Sequence, residues 1–545
     1  MKNKFIVILI FFLAFILRFW LLGSNPPSLD WDEASLGYNA YSILKTGRDE
    51  YGNFFPLSIK SFNDYKPPLY TYLSILPIAI FGLNEFSTRM VSAILGTFSV
   101  LIGFFLIKKI FRDKSNLFYY LFMFFFAISP WHIQFSRTAF ESNISLFFIL
   151  TGLWLFFKGL DTGYYLLLSF IFFAFSIYAY HSPRLVVPLL IIGMFCIYFP
   201  EIRQKKVWFL TGVITFLVLV LPIYSQLHGQ TVARLGSVSV VNPDEKLGAS
   251  IRDIEYDQSR EDVLGKLVHN RRIIYAKEIL GGYLDHFNFD FLFLTGDSPG
   301  RHHASGMGML YLWDSLFIII GIILYLNQLN RFQSIVIWWF LLAPAASSLA
   351  SGTPHAVRAL LMLPLFQVFA ALGILGIFHY LTHRMNRKVK FSVLIIIFSL
   401  LMFNFYYYLH MYWWHTPKEF SQWWQYGYKE LVTEVSKVES SYDKIVITYR
   451  YDQPYIYFLF YKPIDPLWYQ EISEKGPIVR ANRSFGKFEF RNLDWGKDSQ
   501  LSNVLLVGTP DEIPQETSGI IKNICVNPIW GIHYFVKTIP FKKMC

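Results

Sequence analysis

The stretch FSTRMVSAILGTFSVLIGFFLIKKIFRDK, residues 86–114, sets an apolar run over 86–107 directly ahead of Lys108, Lys109, Arg112 and Lys114. As a helix, a run of that length crosses the ~30 Å hydrocarbon core of a bilayer, and a basic cluster at its end marks the cytoplasmic side. Toward the N-terminus, residues 5–22 are apolar except for Arg18, follow Lys2 and Lys4, and precede no small-residue cleavage site. That pattern predicts a signal anchor with its N-terminus inside. Further candidate spans lie near 117–131, 144–158, 163–180, 185–199, 207–224, 309–326, 332–350, 357–380 and 391–409. The run 68–83 is shorter, begins at Pro67-Pro68 and contains Pro77. If it crossed, the basic cluster at 108–114 would fall outside, so it is expected to lie along the outer interface as a juxtamembrane helix. The same register puts Lys158, then Arg203, Lys205 and Lys206, then Arg331, then Arg384, Arg387, Lys388 and Lys390 on the inside. About eleven crossings follow, with loops 23–85 and 225–308 and everything after residue 410 outside.

Composition agrees with a polytopic α-helical membrane protein. Of 545 residues, 54% are hydrophobic, 19% aromatic and 16% charged, too apolar for a soluble chain of this length. The net charge of +11 falls mostly between apolar runs, where loops meet anionic headgroups, so membrane lipids rather than nucleic acid account for it. Cys196, Cys525 and Cys545 have no metal-ligand spacing and imply neither a disulfide framework nor a cysteine metal site. Two domains are expected: residues 1–410 in the membrane, and an extracytoplasmic α+β domain over 411–545. The second rests on the β-branched and aromatic stretches Lys444 to Tyr449 and Tyr455 to Tyr461, both read as strands.

Once sides are assigned, the unusual polar residues gather on the outer face. The first loop opens with Asp30-Trp31-Asp32-Glu33-Ala34 and closes with Asp64-Tyr65-Lys66-Pro67-Pro68-Leu69. Later outer loops carry Arg137 and Glu141, then His181 and Arg184, then Arg301-His302-His303, and finally His355 and Arg358. Displacing a sugar from a lipid phosphate requires a base for the acceptor and positive charge for the departing phosphate. Carboxylates supply the first, and arginine forks and lysine point charges the second, without a metal. Each residue also has a plainer reading. Asp32-Glu33 suits the first turn of a helix, Lys66 and the arginines can anchor span ends to headgroups, Glu141 can pair with Arg137, and His181 and His355 can be interfacial hydrogen-bonders. Their coincidence on one face weakens those readings together. The adjacent His302-His303 invites zinc, but neighbours rarely face one ion and no spaced cysteine or acid pair completes a set, so no metal is assigned.

Asp32-Glu33 after a first span, with Lys66-Pro67-Pro68-Leu69 at the loop's end and Phe81-Gly82 to Phe86-Ser87-Thr88-Arg89 beyond, resembles the GT-C membrane glycosyltransferases. Within them, the first 410 or so residues look like the protein O-mannosyltransferase group, family 39, and its relative that adds aminoarabinose to lipid A. The resemblance implies Asp32 as catalytic base, Glu33 as its acidic neighbour, Lys66 as a ligand of the carrier phosphate and Glu141 as the acid of the second outer loop. It also implies a polyprenyl-phosphate sugar donor, generally an inverting displacement, and no obligatory catalytic metal; a lipid, glycan or protein acceptor, no cofactor, and a multi-pass plasma-membrane enzyme with its active site on the extracytoplasmic face are expected. Substrate-binding roles are expected for Arg137, His181, Arg184, Arg301, His302, His355 and Arg358. The competing readings are a transporter of a polar or anionic solute, which would place charges at the bilayer midplane, and a polymerase or ligase of lipid-linked saccharides.

The register predicts that cysteines introduced at 108–114 resist an impermeant thiol reagent in intact cells, while cysteines beyond 410 react. Labelling of the 108–114 turn from outside would reverse the sidedness of every loop.

Overall fold

The computed structural model describes residues 2–62, 64–225, 244–473, 483–514, 517, 520–525 and 533–538. The predicted outer loop 225–308 lies within them except for residues 226–243, and Cys545 lies outside. The membrane part is a bundle of helices: α1 Lys2–Phe19, α2 Trp31–Thr46, α3 Leu69–Phe81, α4 Glu85–Ile110, α5 Asn116–Ile128, α6 Pro130–Ser136, α7 Glu141–Asp161, α8 Tyr164–Ala179, α9 Pro183–Ile197, α10 Phe199–Gln204 and α11 Lys206–Ser225. Beyond residue 308 come the helices Asp314–Asn327, Ser334–Leu342, Leu365–Arg384 and Arg387–His410.

Among the described residues, five helices are long and apolar enough to cross a bilayer, six if the α5–α6 pair, bent by 54° at Ser129, is one span. Five further apolar helices run 10–17 residues, and α1 has 18 residues with three charges, so helix length and composition alone account for at most six of the eleven expected crossings. At 1.5 Å per residue, the 13 residues of α3 fall short of a ~30 Å core. Pro77 sits inside α3, and Gly82, at φ 77°, ends it.

Two glycines set one helix crossing. A Cβ on Gly321 would stand 1.8 Å from the Phe369 carbonyl oxygen, and one on Gly373 would stand 2.0 Å from that of Phe317. The helices Asp314–Asn327 and Leu365–Arg384 therefore touch backbone to backbone, the contact that small residues permit where lipid offers no hydrophobic drive to association. The first follows the loop bearing Arg301 and His302, the second the loop bearing His355 and Arg358, so this crossing ties both loops together.

Among the described residues after 410, five strands form one sheet. With the short hairpin β1 Ile59–Ser61 and β2 Asp64–Lys66 numbered first, its strands are β3 Lys444–Ile447, β4 Phe488–Phe490, β5 Val504–Gly508, β6 Ile520–Cys525 and β7 His533–Thr538, in the order β4-β3-β5-β7-β6. β3 lies parallel to β4 and β5, while β7 is antiparallel to β5 and β6. The expected strand at Tyr455 to Tyr461 is instead the helix Pro454–Tyr461. Pro454 occupies its first turn, and the uninterrupted apolar and aromatic run Tyr455 to Phe460 is buried at every residue, so no period-2 alternation survives. Nor does residue 410 separate two cores: Leu29, Ala34, Tyr38 and Phe62 of the first loop share one cluster with Tyr428, Leu431, Ile445, Tyr457 and Phe460 of the tail. The helix through residue 410 runs on as Arg387–Glu419.

In an ordinary helix, alanine for glycine gains about 1 kcal/mol. At Gly373 the substitution is expected to cost about 2 kcal/mol by overpacking against a backbone that cannot rotate away. Thermal unfolding in detergent reads the sign, and an unchanged or raised midpoint would place the two helices farther apart.

Candidate active site

Asp30 opens the site as the N-cap of α2. Its Oδ1 accepts the Glu33 N–H at 2.8 Å and its own N–H donates to Glu33 Oε2 at 3.3 Å, a reciprocal capping box. The Glu33 carboxylate accepts from Arg89 Nε and Nη2 at 2.9 Å each and from the Ala139 N–H at 2.7 Å. With the Asp30 N–H, all four lone-pair positions of Glu33 are occupied. Arg89 spends its remaining N–H groups on the carbonyls of Leu22 at 3.3 Å, Pro26 at 2.9 Å and Ser28, so its five donors are all satisfied. Both side chains are fully buried. Glu33, expected as an acid of the reaction, thus has no lone pair for a substrate proton, and its place is structural.

Pinning Glu33 inward toward α4 rotates Asp32, about 100° away on the helix, to the side. There it pairs with Lys66, the last residue of β2. Asp32 is about one-third exposed (36%) and Lys66 is buried (7%), so the carboxylate is the open half of the pair. Burial works against the Lys66 charge, but Asp32, and more weakly Glu141 and Asp30, hold the ammonium above its ordinary pKa. Glu141, at the first position of α7, therefore belongs to this charge cluster.

Arg301 joins the pair to a second cluster. Its Nε stands 3.5 Å from Asp30 Oδ2, and its guanidinium lies over the Trp31 ring at 5.1 Å. Burial, partly opposed by Arg301, lifts the Asp30 carboxyl to about 7. The adjoining His302 Nδ1 lies 2.6 Å from Asp297 Oδ2, which also accepts the Ala356 N–H at 2.8 Å. Asp297, His302 and His355 offer ligand atoms that lie within 4.8 Å of one another. Burial lowers the pKa of both histidines, leaving neutral imidazoles, and Asp297 Oδ1 and His355 Nδ1 are buried without a hydrogen-bond partner among the described residues. This donor set fits a divalent cation of the zinc kind. The sequence objection to zinc assumed that nothing completes the His302-His303 pair, whereas the fold brings up an acid and a distant histidine. His303 turns away, its Nε2 3.0 Å from the Asp297 carbonyl.

The other expected phosphate ligands divide. Arg358 donates to the Ser351 carbonyl at 2.8 Å, and its own carbonyl accepts from Ser182 at 3.3 Å, which sets the His181–Arg184 loop beside it. Arg137 does not face the site. It is fully buried and donates to the carbonyls of Leu17 at 3.1 Å and Asn25 at 2.7 Å and to the Tyr412 hydroxyl at 3.1 Å, because the bent α5–α6 segment turns its end inward.

A profile of the family described as dolichyl-phosphate-mannose-protein mannosyltransferase matches residues 65–225. An uncharacterized protein of Aquifex aeolicus (strain VF5) is 31% identical over 118 residues, 21% of this chain and 26% of that protein, so the likeness spans about a quarter of the relative. ArnT from Cupriavidus metallidurans in the apo state matches with a TM-score of 0.55 at 10% identity, over 98% of each chain. Its complex with undecaprenyl phosphate matches with a TM-score of 0.55 at 10% identity, over 99% of each. The archaeal oligosaccharyltransferase AglB from Archaeoglobus fulgidus, in complex with an inhibitory peptide and a dolichol-phosphate, matches with a TM-score of 0.50 at 12% identity, over 84% of this chain and 64% of that one. The chain thus shares the fold of ArnT and AglB, and its residues 65–225 match the mannosyltransferase family model.

In this site, Asp30, Arg89 and Asp297 are the residues that the sequence left unassigned. Arg89 carried a signal, as a charge inside an apolar helix that must find a partner. The Glu33–Arg89 pairing predicts opposite behaviour for neighbouring acids. Glu33→Gln strands the Arg89 charge and is expected to cost about 3 kcal/mol or more, lowering the unfolding midpoint sharply, whereas Asp32→Asn barely moves it. Equal midpoints for the two variants would remove the structural assignment of Glu33.

Proposed function

We propose that the chain transfers a sugar from a polyprenyl-phosphate donor to a lipid, glycan or protein acceptor on the extracytoplasmic face of the plasma membrane. The observation that carries this reading is the Asp32–Lys66 pair, a partly open carboxylate against a buried ammonium at the head of α2. The undecaprenyl-phosphate complex of ArnT and the dolichol-phosphate complex of AglB support a lipid-phosphate carrier for this fold.

The chemistry follows from the charges. A donor phosphate competes with Asp32 for the Lys66 ammonium, and as Lys66 turns to it the Asp32 carboxylate becomes available as a base. Asp32 takes the acceptor's hydroxyl or amine proton while the acceptor's lone pair forms the bond to the anomeric carbon. The bond from that carbon to the phosphate oxygen breaks, and the phosphate leaves with the electron pair on the opposite face, inverting the centre. Lys66 holds the departing charge, joined by Arg301 or by Arg184 and Arg358 of the adjoining loops. Glu141 keeps Lys66 protonated, and Glu33 keeps α2 in register.

Asp32→Asn is expected to bind polyprenyl phosphate normally and to lose roughly 10²-fold or more in turnover, while Lys66→Ala loses donor binding as well. Release of free polyprenyl phosphate from a radiolabelled polyprenyl-phosphate monosaccharide measures both. Full turnover in Asp32→Asn would move the base elsewhere, with Glu141 the next acid to test.

A further inference from the structure

The tail beyond residue 410 reaches the site through Arg483. That guanidinium is buried, with 3% of the residue exposed, and lies among three aromatic rings: 4.6 Å from Tyr455, 5.5 Å from Phe62 and 5.9 Å from Tyr51. It donates to the Tyr455 hydroxyl, which stands 3.5 Å from Glu50 Oε1. Glu50 is buried in turn, with its N–H on Asn39 of α2 at 2.9 Å, and both Arg483 and Lys66 act on its charge. Phe62 forms the turn of the β1–β2 hairpin at φ 60°, a left-handed conformation that an aromatic residue adopts only where its surroundings hold it. Its ring receives a second cation: Lys66 Nζ lies over it at 5.8 Å. One ring thus lies within reach of both the tail's arginine and the lysine that closes β2.

We propose that Arg483 is a positioning residue for Lys66, holding the Phe62 turn so that the ammonium is delivered beside Asp32 and to the donor phosphate. A hairpin of two three-residue strands is too small to fix its own geometry. The ring cage supplies what the hairpin lacks, and the cation supplying it comes from the soluble tail. Arg483 touches no substrate here; it acts through Phe62. The inference rests on the reading of Lys66 as the phosphate ligand.

The test uses the full chain in detergent, with undecaprenyl phosphate and neutral undecaprenol as probes and Arg483→Gln, Phe62→Leu, Lys66→Ala and the Arg483→Gln/Lys66→Ala double variant compared for equilibrium binding. Arg483→Gln and Phe62→Leu are each expected to weaken undecaprenyl phosphate by about tenfold, leave undecaprenol unchanged, and add little once Lys66 is gone, the signature of coupled sites. If Arg483→Gln does not fold, Phe62→Leu, which keeps an apolar side chain in the turn, carries the same comparison. A folded Arg483→Gln or Phe62→Leu that binds the phosphate like the parent, beside an impaired Lys66→Ala, overturns this inference alone. So does a loss that is equal for both probes and additive with Lys66→Ala, which would mark Arg483 as a general structural prop. Parent-like binding by Lys66→Ala overturns the phosphate reading of Lys66 and this inference with it.

Discussion

An ionised carboxylate buried at the head of a helix is tolerable only when every lone pair has a donor, and Glu33 meets that condition through Arg89, the Ala139 N–H and the Asp30 N–H. The arginine meets the converse condition on the carbonyls that follow α1. One ion pair therefore fastens four pieces of chain: the exit from α1, the start of α2, the body of α4 and the turn before α7. The fastening is also directional. A bidentate fork fixes the rotation of α2 about its axis, and that rotation decides which way residue 32 points.

Much of this arrangement was legible before any coordinates. The helical runs fall close to where hydropathy put them, because an apolar stretch of span length has no other solvent than lipid. Asp32 and Lys66, separated by 34 positions, meet at the two ends of the first outer loop. What sequence could not show is which member of an adjacent acid pair faces inward. Asp32-Glu33 reads the same whichever residue is the buried one, and only the position of Arg89 settles it. Arg137 failed for a related reason: proximity to a span end says nothing of side-chain direction when the helix there bends by 54°. Asp297 and His355 lie 58 positions apart and are brought together by the Gly321–Gly373 crossing, a backbone contact with no signature in side-chain pattern. The tail misled at Tyr455 to Tyr461 because a segment buried all round loses the periodicity that separates helix from strand.

The shared core of the first loop and the tail changes what a domain boundary means in this chain. The helix Pro454–Tyr461 lies on α2, so that a Cβ at Gly37 would meet Phe460 at 2.6 Å on one side and the Thr88 hydroxyl at 2.7 Å on the other. The helix that carries the candidate base is thus clamped between a membrane span and a helix of the tail. Tyr457 adds a hydrogen bond to the Leu29 carbonyl at 3.3 Å, one residue before the N-cap. A tail contributing both a packing face and hydrogen bonds to the segment before Asp32 cannot move as a separate body without loosening the cap.

This makes the order of charges in the first loop a matter of mechanics as well as chemistry. In the proposed reaction Asp32 has to be open to an acceptor, so the helix bearing it cannot be stabilised through Asp32 itself. The restraint is carried instead by its neighbours on either side, Asp30 as cap and Glu33 as anchor, with Gly37 as the close-contact point one turn on. Lys66 is placed the opposite way: it is buried, which works against its charge, and Asp32 supplies the counter-charge that holds the ammonium. In the proposed reaction both positions meet in one bond: Asp32 neutralises Lys66 until a donor phosphate replaces it, and release from that bond frees the carboxylate to accept a proton while the leaving group is held.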